Sequence, residues 1–369
     1  MAGIYIHIPF CRQACHYCNF HFATSLHYKN ELIAALLKEI ALQKDYLLSD
    51  PVETIYFGGG TPSLLDIEDL LLIIEKIKTI FVVAAEAEIT LEANPDDIMD
   101  EKLIAWKKAG INRLSIGVQS FFDEDLEWMN RAHNAQQAID NLQLALKHFE
   151  NITIDLIYGT PGLTNDKWKQ NVGTAISLNI PHLSCYALTV EPKTPLDKMI
   201  RQHQSENINP EKQSEQFLLL MQWMEEAGYE HYEISNFARP GRRSRHNSSY
   251  WRGKNYLGLG PSAHSFNGTE RQWNISNNKI YIESINKGII PFEKEVLTPV
   301  QKLNEYIMTS LRTMEGLKLE RLNEADADKL KAASRKFIDS GLMRSESNSL
   351  ILTKEGKLLA DGIAAGLFF

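Results

Sequence analysis

Cysteine is scarce in this sequence, four residues among 369, and three of the four crowd together as Cys11, Cys15 and Cys18. So few thiols cannot staple a fold of this length, and unpaired thiols suit a reducing, cytoplasmic setting. Positive charge is in deficit: 39 Lys and Arg stand against 47 Asp and Glu, a formal net charge of −8. That balance argues against a broad electrostatic grip on nucleic acid or on an anionic membrane, so any anionic ligand must be met by a local basic cluster. No run of 18 apolar residues occurs, which excludes a transmembrane helix of the ordinary kind. The opening MAGIYIHIPF has no basic start and is interrupted by His7 and Pro9, unlike a secretory signal. Low-complexity stretches are absent, and no repeat exceeds a strand-helix unit. What is there, 44% apolar and 23% charged residues, fits one large folded domain with an accessory one.

Apolar, β-branched runs alternate with helical patterns six times. The strands are expected at 4–8, 54–58, 87–93, 113–119, 153–159 and 183–190. Amphipathic segments lie at 30–48, 66–80, 100–109, 135–149, 165–178 and 211–227; in the first, Leu32, Ile33, Leu36, Leu37 and Ile40 form one stripe. Strands buried on both faces and separated by helices are parallel strands joined by right-handed crossovers. The fold class is therefore α/β, a partial, TIM-like (β/α)6 barrel, with a doubly wound sheet as the alternative topology. Residues 1–228 would form this barrel domain, 229–294 a connecting region with a basic loop, and 295–369 a small, mainly helical C-terminal domain with a short hairpin.

The spacing Cys11-x3-Cys15-x2-Cys18 follows the first strand directly, placing three thiols on a loop at its carboxyl end. Three thiolates on one loop can converge on a polynuclear iron–sulfur cluster, which normally takes four, leaving one iron open to a ligand. A zinc site completed by His7 or His16, or a redox pair Cys15-x-x-Cys18, is the simpler alternative. Cys185 sits in an apolar strand, as a buried small hydrophobe would. Glu92, Gln119 and Asp155 fall at or near the carboxyl ends of three expected strands, the rim where functional groups of a βα barrel gather. The run Gly58-Gly59-Gly60-Thr61-Pro62 closes the second strand and lets backbone amides approach a ligand, although a tight turn would use the same residues. Farther on, ARPGRRSRHNSSYW concentrates Arg239, Arg242, Arg243 and Arg245 just before His246, Asn247, Tyr250 and Trp251. Arginines suit carboxylates, aromatics suit a flat macrocycle, and imidazole ligates haem iron. A solvated basic loop anchored by Tyr250 and Trp251 is the plainer reading.

The cysteine spacing, with Tyr17 before the last cysteine, resembles the radical S-adenosylmethionine (SAM) superfamily. The flanks YIHIPFC, FGGGTPS, IGVQSF, DLIYGTPG and SRHNSSYW are similar to the group of oxygen-independent coproporphyrinogen III oxidases and haem chaperones, nearly end to end. The resemblance implies a [4Fe-4S] cluster on Cys11, Cys15 and Cys18, with SAM chelating the open iron. It implies SAM contacts at Tyr5, Tyr17, Gly59, Gly60, Thr61, Glu92, Gln119, Arg131, Asp155 and Ala187, and haem contacts at His246, Asn247, Tyr250 and Trp251. Two roles follow from it. In one, radical chemistry on SAM drives decarboxylation of coproporphyrinogen III to protoporphyrinogen IX. In the other, the scaffold binds haem and delivers it to an acceptor haemoprotein, including a membrane-bound one reached by transient contact. Both need an electron donor for the cluster. The oxidases of this group continue the motif with a fourth cysteine, where this chain has Phe20, and carry an N-terminal extension, whereas only ten residues precede Cys11 here. The expectation is therefore the chaperone, with haem or a porphyrinogen as ligand; a nucleic-acid substrate is disfavoured by the acidic charge.

Overall fold

A computed structural model describes residues 2–48 and 50–369. They form two compact units, one of residues up to Asn209 with Lys254–Val296, the other of Pro210–Gly253 with Leu297–Phe369.

The first unit runs β1 (Ala2–Ile8), α1 (Lys29–Leu42), β2 (Val52–Gly59), α2 (Ile67–Ile80), β3 (Val83–Ala93), α3 (Asp100–Lys108), β4 (Arg113–Gln119), α4 (Asp123–Trp128), α5 (Ala135–His148), β5 (Ile152–Tyr158), α6 (Asn165–Ser177), β6 (His182–Ala187) and α7 (Pro195–Arg201). All six strands expected from the alternation are present. They pair in parallel and in sequence order, β1 to β6. The sheet stays open: the far side of β1 pairs in parallel with Asn255–Leu259, followed by antiparallel strands His264–Phe266, Glu270–Asn274 and Phe292–Val296. Burial on both faces explains the near-continuous apolar strands; in β5 the adjacent Leu156 and Ile157, which point to opposite faces, are both buried.

The α1 stripe is buried through Leu32, Ile33, Leu36 and Ile40. The helix stops at Leu42, short of the expected residue 48; the chain runs on in turns, and Leu48 adopts a left-handed conformation before β2. Glu39 interrupts the stripe and is fully buried. Its carboxylate accepts from Tyr281 Oη (2.5 Å), Asn274 Nδ2 (2.6 Å) and the Gly260 amide (2.8 Å), tying the returning segment to α1. Burial pushes its pKa up to about 7.

The second unit carries the C-terminal helices Pro299–Leu311, Glu324–Asp339, Lys354–Lys357 and Ala360–Ala365 and the hairpin Met343–Glu346/Ser349–Leu352, the helical domain with hairpin expected from the tail. Thr298 and Gln301 form a reciprocal capping box at the first of these helices. Its core includes Ile307, Leu311, Leu330, Leu350 and Ile363. Among the described residues no helix is long and apolar enough to cross a membrane.

Candidate cluster and cofactor site

The carboxyl ends of β2 to β6 and the loop after β1 surround one cavity of about 410 Å³. Cys11, Cys15 and Cys18 all line it. The loop that carries them is held from both sides. The Cys11 amide donates to Ala23 O (3.0 Å) and the Ala23 amide to Pro9 O (2.9 Å). Across the site, Asn130 Nδ2 donates to Ala14 O (2.7 Å), while Gln13 Nε2 donates to Asn130 Oδ1 (2.7 Å). His16 donates Nδ1–H to Trp128 O (2.8 Å). Behind the loop, Tyr17 packs on Met129, Ile157, Leu188 and Leu196, an apolar backing that keeps water from that side.

Burial raises the pKa of the Cys11 thiol to about 11 and also raises that of Cys18. A metal must therefore displace their protons. Positive charge is supplied by Arg131, whose Nη1 donates to Cys15 Sγ at 3.1 Å and whose Nη2 reaches Asn94 Oδ1 and Gly117 O, both at 2.7 Å. Its buried Nε has no hydrogen-bond partner among the described residues.

Gly59, Gly60 and Thr61 turn the end of β2 past the cysteine loop. The Gly60 amide donates to Ile8 O (2.8 Å) and the Thr61 amide to Phe10 O (2.6 Å). A Cβ on Gly60 would stand 2.5 Å from Phe10 O, so this glycine permits a close backbone approach; Gly59 is at φ +105°. Both the turn and the cavity wall use the same residues.

Glu92, half-buried, lines the cavity beside Gly59. Tyr56 Oη donates to its Oε1 (2.7 Å) and the Gly59 amide to its Oε2 (3.1 Å). Burial, with a smaller push from Asp155, raises it to about 8. Burial likewise raises Asp155 to about 6, against a hydrogen bond from Ser184. Two carboxyls of raised pKa in one cleft mark a site built for a cation or for hydrogen-bonding hydroxyls. Gln119 adopts φ 70°, a left-handed conformation uncommon outside glycine, at the end of β4.

Of the ten residues expected to contact SAM, nine line this cavity with the cysteines: Tyr17, Gly59, Gly60, Thr61, Glu92, Gln119, Arg131, Asp155 and Ala187. Tyr5 does not. It packs against Tyr56 with ring centroids 6.1 Å apart and donates to His7 Nδ1 at 3.2 Å, one layer beneath the wall. Asn94, Ser115 and Gly117 also line the cavity and were not singled out from sequence. Their signal was the period of two along a strand: Ser115, Gly117 and Gln119 share one face of β4, as Glu92 and Asn94 do at the end of β3. The zinc alternative finds no completing histidine. His7 donates Nε2–H to His21 O (2.8 Å) and His16 is committed to Trp128. Among the described residues no three His, Cys, Asp or Glu side chains converge tightly enough for one ion. Thiolates that each meet a different corner of a cluster need no such convergence, so the donor set fits a polynuclear centre.

The second group of expected residues lies in the other unit, on the helix Arg245–Trp251, capped by Ser244. His246 is buried, and its Nε2 is hydrogen-bonded to Tyr250 Oη at 2.8 Å. Burial lowers it to about 3, so it stays neutral. It points inward, one helical turn from its partner. The Asn247 amide donates to the Ser244 cap. Trp251 lines a cavity of about 260 Å³ together with Tyr232, Arg243 and Tyr306. Arg243 stands over the Tyr232 ring (5.5 Å) and is paired with Glu230 (2.9 Å) and Glu315 (2.7 Å).

An open parallel βα sheet whose first loop brings three cysteines to a cofactor-sized cavity defines a radical SAM protein, and the sequence model of the Radical SAM superfamily matches residues 5–174. The heme chaperone HemW of Bacillus subtilis is 34% identical over 98% of both chains. HemW of Mycobacterium tuberculosis is 33% identical over 99% of this chain and 94% of its own. The chain belongs to this HemW family of the radical SAM superfamily. Membership implies a [4Fe-4S] cluster and SAM. The solved structure of the coproporphyrinogen III oxidase HemN from Escherichia coli covers all of this chain and 90% of its own with a TM-score of 0.85, at 23% identity, a likeness of fold.

Proposed function

We propose that this protein is a haem chaperone of the cytoplasm, which binds haem and hands it to acceptor haemoproteins, membrane-bound ones among them. The observation that carries the reading is the 34% identity to a heme chaperone across 98% of both chains. Phe20, 66% exposed at the cavity mouth where the oxidases have a fourth cysteine, supports it.

In this reading Cys11, Cys15 and Cys18 hold three corners of the [4Fe-4S] cluster. Glu92 and the Gly59-Gly60-Thr61 turn would meet the amino group of SAM, Arg131 its carboxylate, and Gln119 and Asp155 its hydroxyls. When bound, cluster and SAM supply one-electron chemistry fed by an external electron donor. The chain itself fixes Glu92 between Tyr56 and Gly59, holds a guanidinium against Cys15, and seals the back of the loop with apolar side chains. Haem would be carried by the second unit, at the helix of His246, Asn247, Tyr250 and Trp251. Because Nε2 of His246 is engaged by Tyr250, use of that nitrogen as an iron ligand would require the hydrogen bond to open.

The test is a paired assay on anaerobically reconstituted protein. With ferric haem, a Soret band characteristic of protein-bound haem should appear at near-stoichiometric ratio. With coproporphyrinogen III, SAM and reductant, no protoporphyrinogen IX should form. Sustained decarboxylation without haem binding would replace the chaperone by the oxidase.

A further inference from the structure

The cavity beside Trp251 is the wrong shape for a whole macrocycle and the right chemistry for its acidic edge. At about 260 Å³ it falls below the range of pockets that enclose a drug-sized molecule, roughly 300–1,000 Å³. Its floor is aromatic, with Trp251, Tyr232 and Tyr306. The Trp251 indole Nε1–H is buried and has no hydrogen-bond partner among the described residues. Such a donor normally finds an acceptor.

The rim is cationic. Arg252, Lys318 and Arg321 line it and are exposed. Arg321 stands over the Tyr306 ring at 5.7 Å. None of the three has an acidic partner among the described residues, whereas Arg243 in the same cavity is matched by Glu315. An acidic protein thus keeps three unpaired cations and an unpaired donor around one aromatic-walled hollow. Solvated surface cations explain the exposure of these side chains, but not the buried, unmet N–H of the tryptophan that lines the same cavity.

We propose that this cavity receives the carboxylate edge of the tetrapyrrole, with Arg252, Lys318 and Arg321 pairing its propionates and the Trp251 indole N–H donating to one of them. This rests on the haem-chaperone reading and extends it. The residues bind the side chains of the ligand, not its iron. Guanidinium groups suit carboxylates bidentately, and the aromatic floor accepts the adjoining ring edge. The cavity thereby selects tetrapyrroles by their free acids, independently of the metal they carry.

The experiment compares ferric haem with its propionate dimethyl ester, each titrated into full-length protein and followed in the Soret region. Wild-type protein should bind haem at least about tenfold more tightly than the diester, the value of one charge-assisted contact. In the double variant Lys318→Ala, Arg321→Ala that preference should collapse toward unity through loss of haem affinity, with the diester affinity and the Soret position unchanged. Trp251→Phe, which keeps the aromatic floor, should lower the preference severalfold on its own. Equal affinity of wild-type protein for acid and diester, or a preference intact in the double variant, would overturn this assignment while leaving the chaperone reading in place. Absence of any Soret change with either ligand would remove the chaperone reading and this proposal with it. Both alanine positions are exposed, and an unchanged thermal midpoint verifies that the variant is folded.

Discussion

Glu92 shows how much chemistry one residue acquires from its surroundings. Its carboxyl is buried, gripped by Tyr56 and the Gly59 amide, and raised to about 8. At pH 7 it is therefore mostly protonated, and a SAM amino group donating to its carboxylate would require release of that proton. The sign follows directly: below the raised pKa, each unit of pH lost costs about 1.4 kcal/mol of binding. SAM affinity, measured by equilibrium dialysis, should tighten by roughly tenfold per unit between pH 6 and 8, and Glu92→Gln should flatten the slope. A flat profile in the wild-type protein would exclude Glu92 as the partner of the SAM amino group. Glu92, Gln119 and Asp155 were legible in the sequence because polar residues at strand ends stand out against apolar runs. Arg131 was legible only through resemblance, since its place depends on Cys15, 116 residues away. His246 reads from the sequence as a ligand on a basic loop; its burial follows from Tyr250 four residues on, which shares its helix face and satisfies its ring.

At the level of elements, the cysteine loop has no regular structure of its own and borrows rigidity from the turn after α4. Asn130 is the clamp. It sits in the left-handed region at φ 58°, bonds Ala14 O, and receives Gln13. Asn130→Ala should destabilise the protein by about 2–3 kcal/mol, combining lost hydrogen bonds with backbone strain. Asn130→Gly removes the same side chain without the strain. It should unfold within about 1 kcal/mol of wild type in denaturant but lose iron faster during gel filtration after reconstitution. Equal iron retention in the glycine variant would show that the loop needs no such clamp. The six strands of the sheet were legible because burial on both faces imposes continuous apolar runs. The Asn130 clamp was not, because it pairs two irregular segments through a tertiary contact that leaves no periodic trace.

Across the whole molecule, the alternating part of the chain maps onto the open sheet, and the tail onto the helical unit. The sequence after residue 228 loses its alternation, and nothing in composition reveals that Lys254–Val296 returns to extend the sheet beyond β1. That return is secured by Glu39, a buried acid in an otherwise apolar helix face, which was the one visible hint of a polar anchor. The same division separates two chemistries. One unit offers thiols, carboxyls and a glycine turn around a cavity, and the other offers aromatic and cationic groups around the helix of Trp251.

Cys11, Cys15 and Cys18 would hold the cluster in the cavity that Glu92 and Arg131 also line. The most direct test is electron paramagnetic resonance of the reduced, anaerobically reconstituted protein, with iron analysis, before and after addition of SAM. About four irons per chain and a [4Fe-4S] signal that shifts on adding SAM, both lost in Cys15→Ala, are the predicted result. A single bound zinc, or a cluster signal indifferent to SAM, would contradict it.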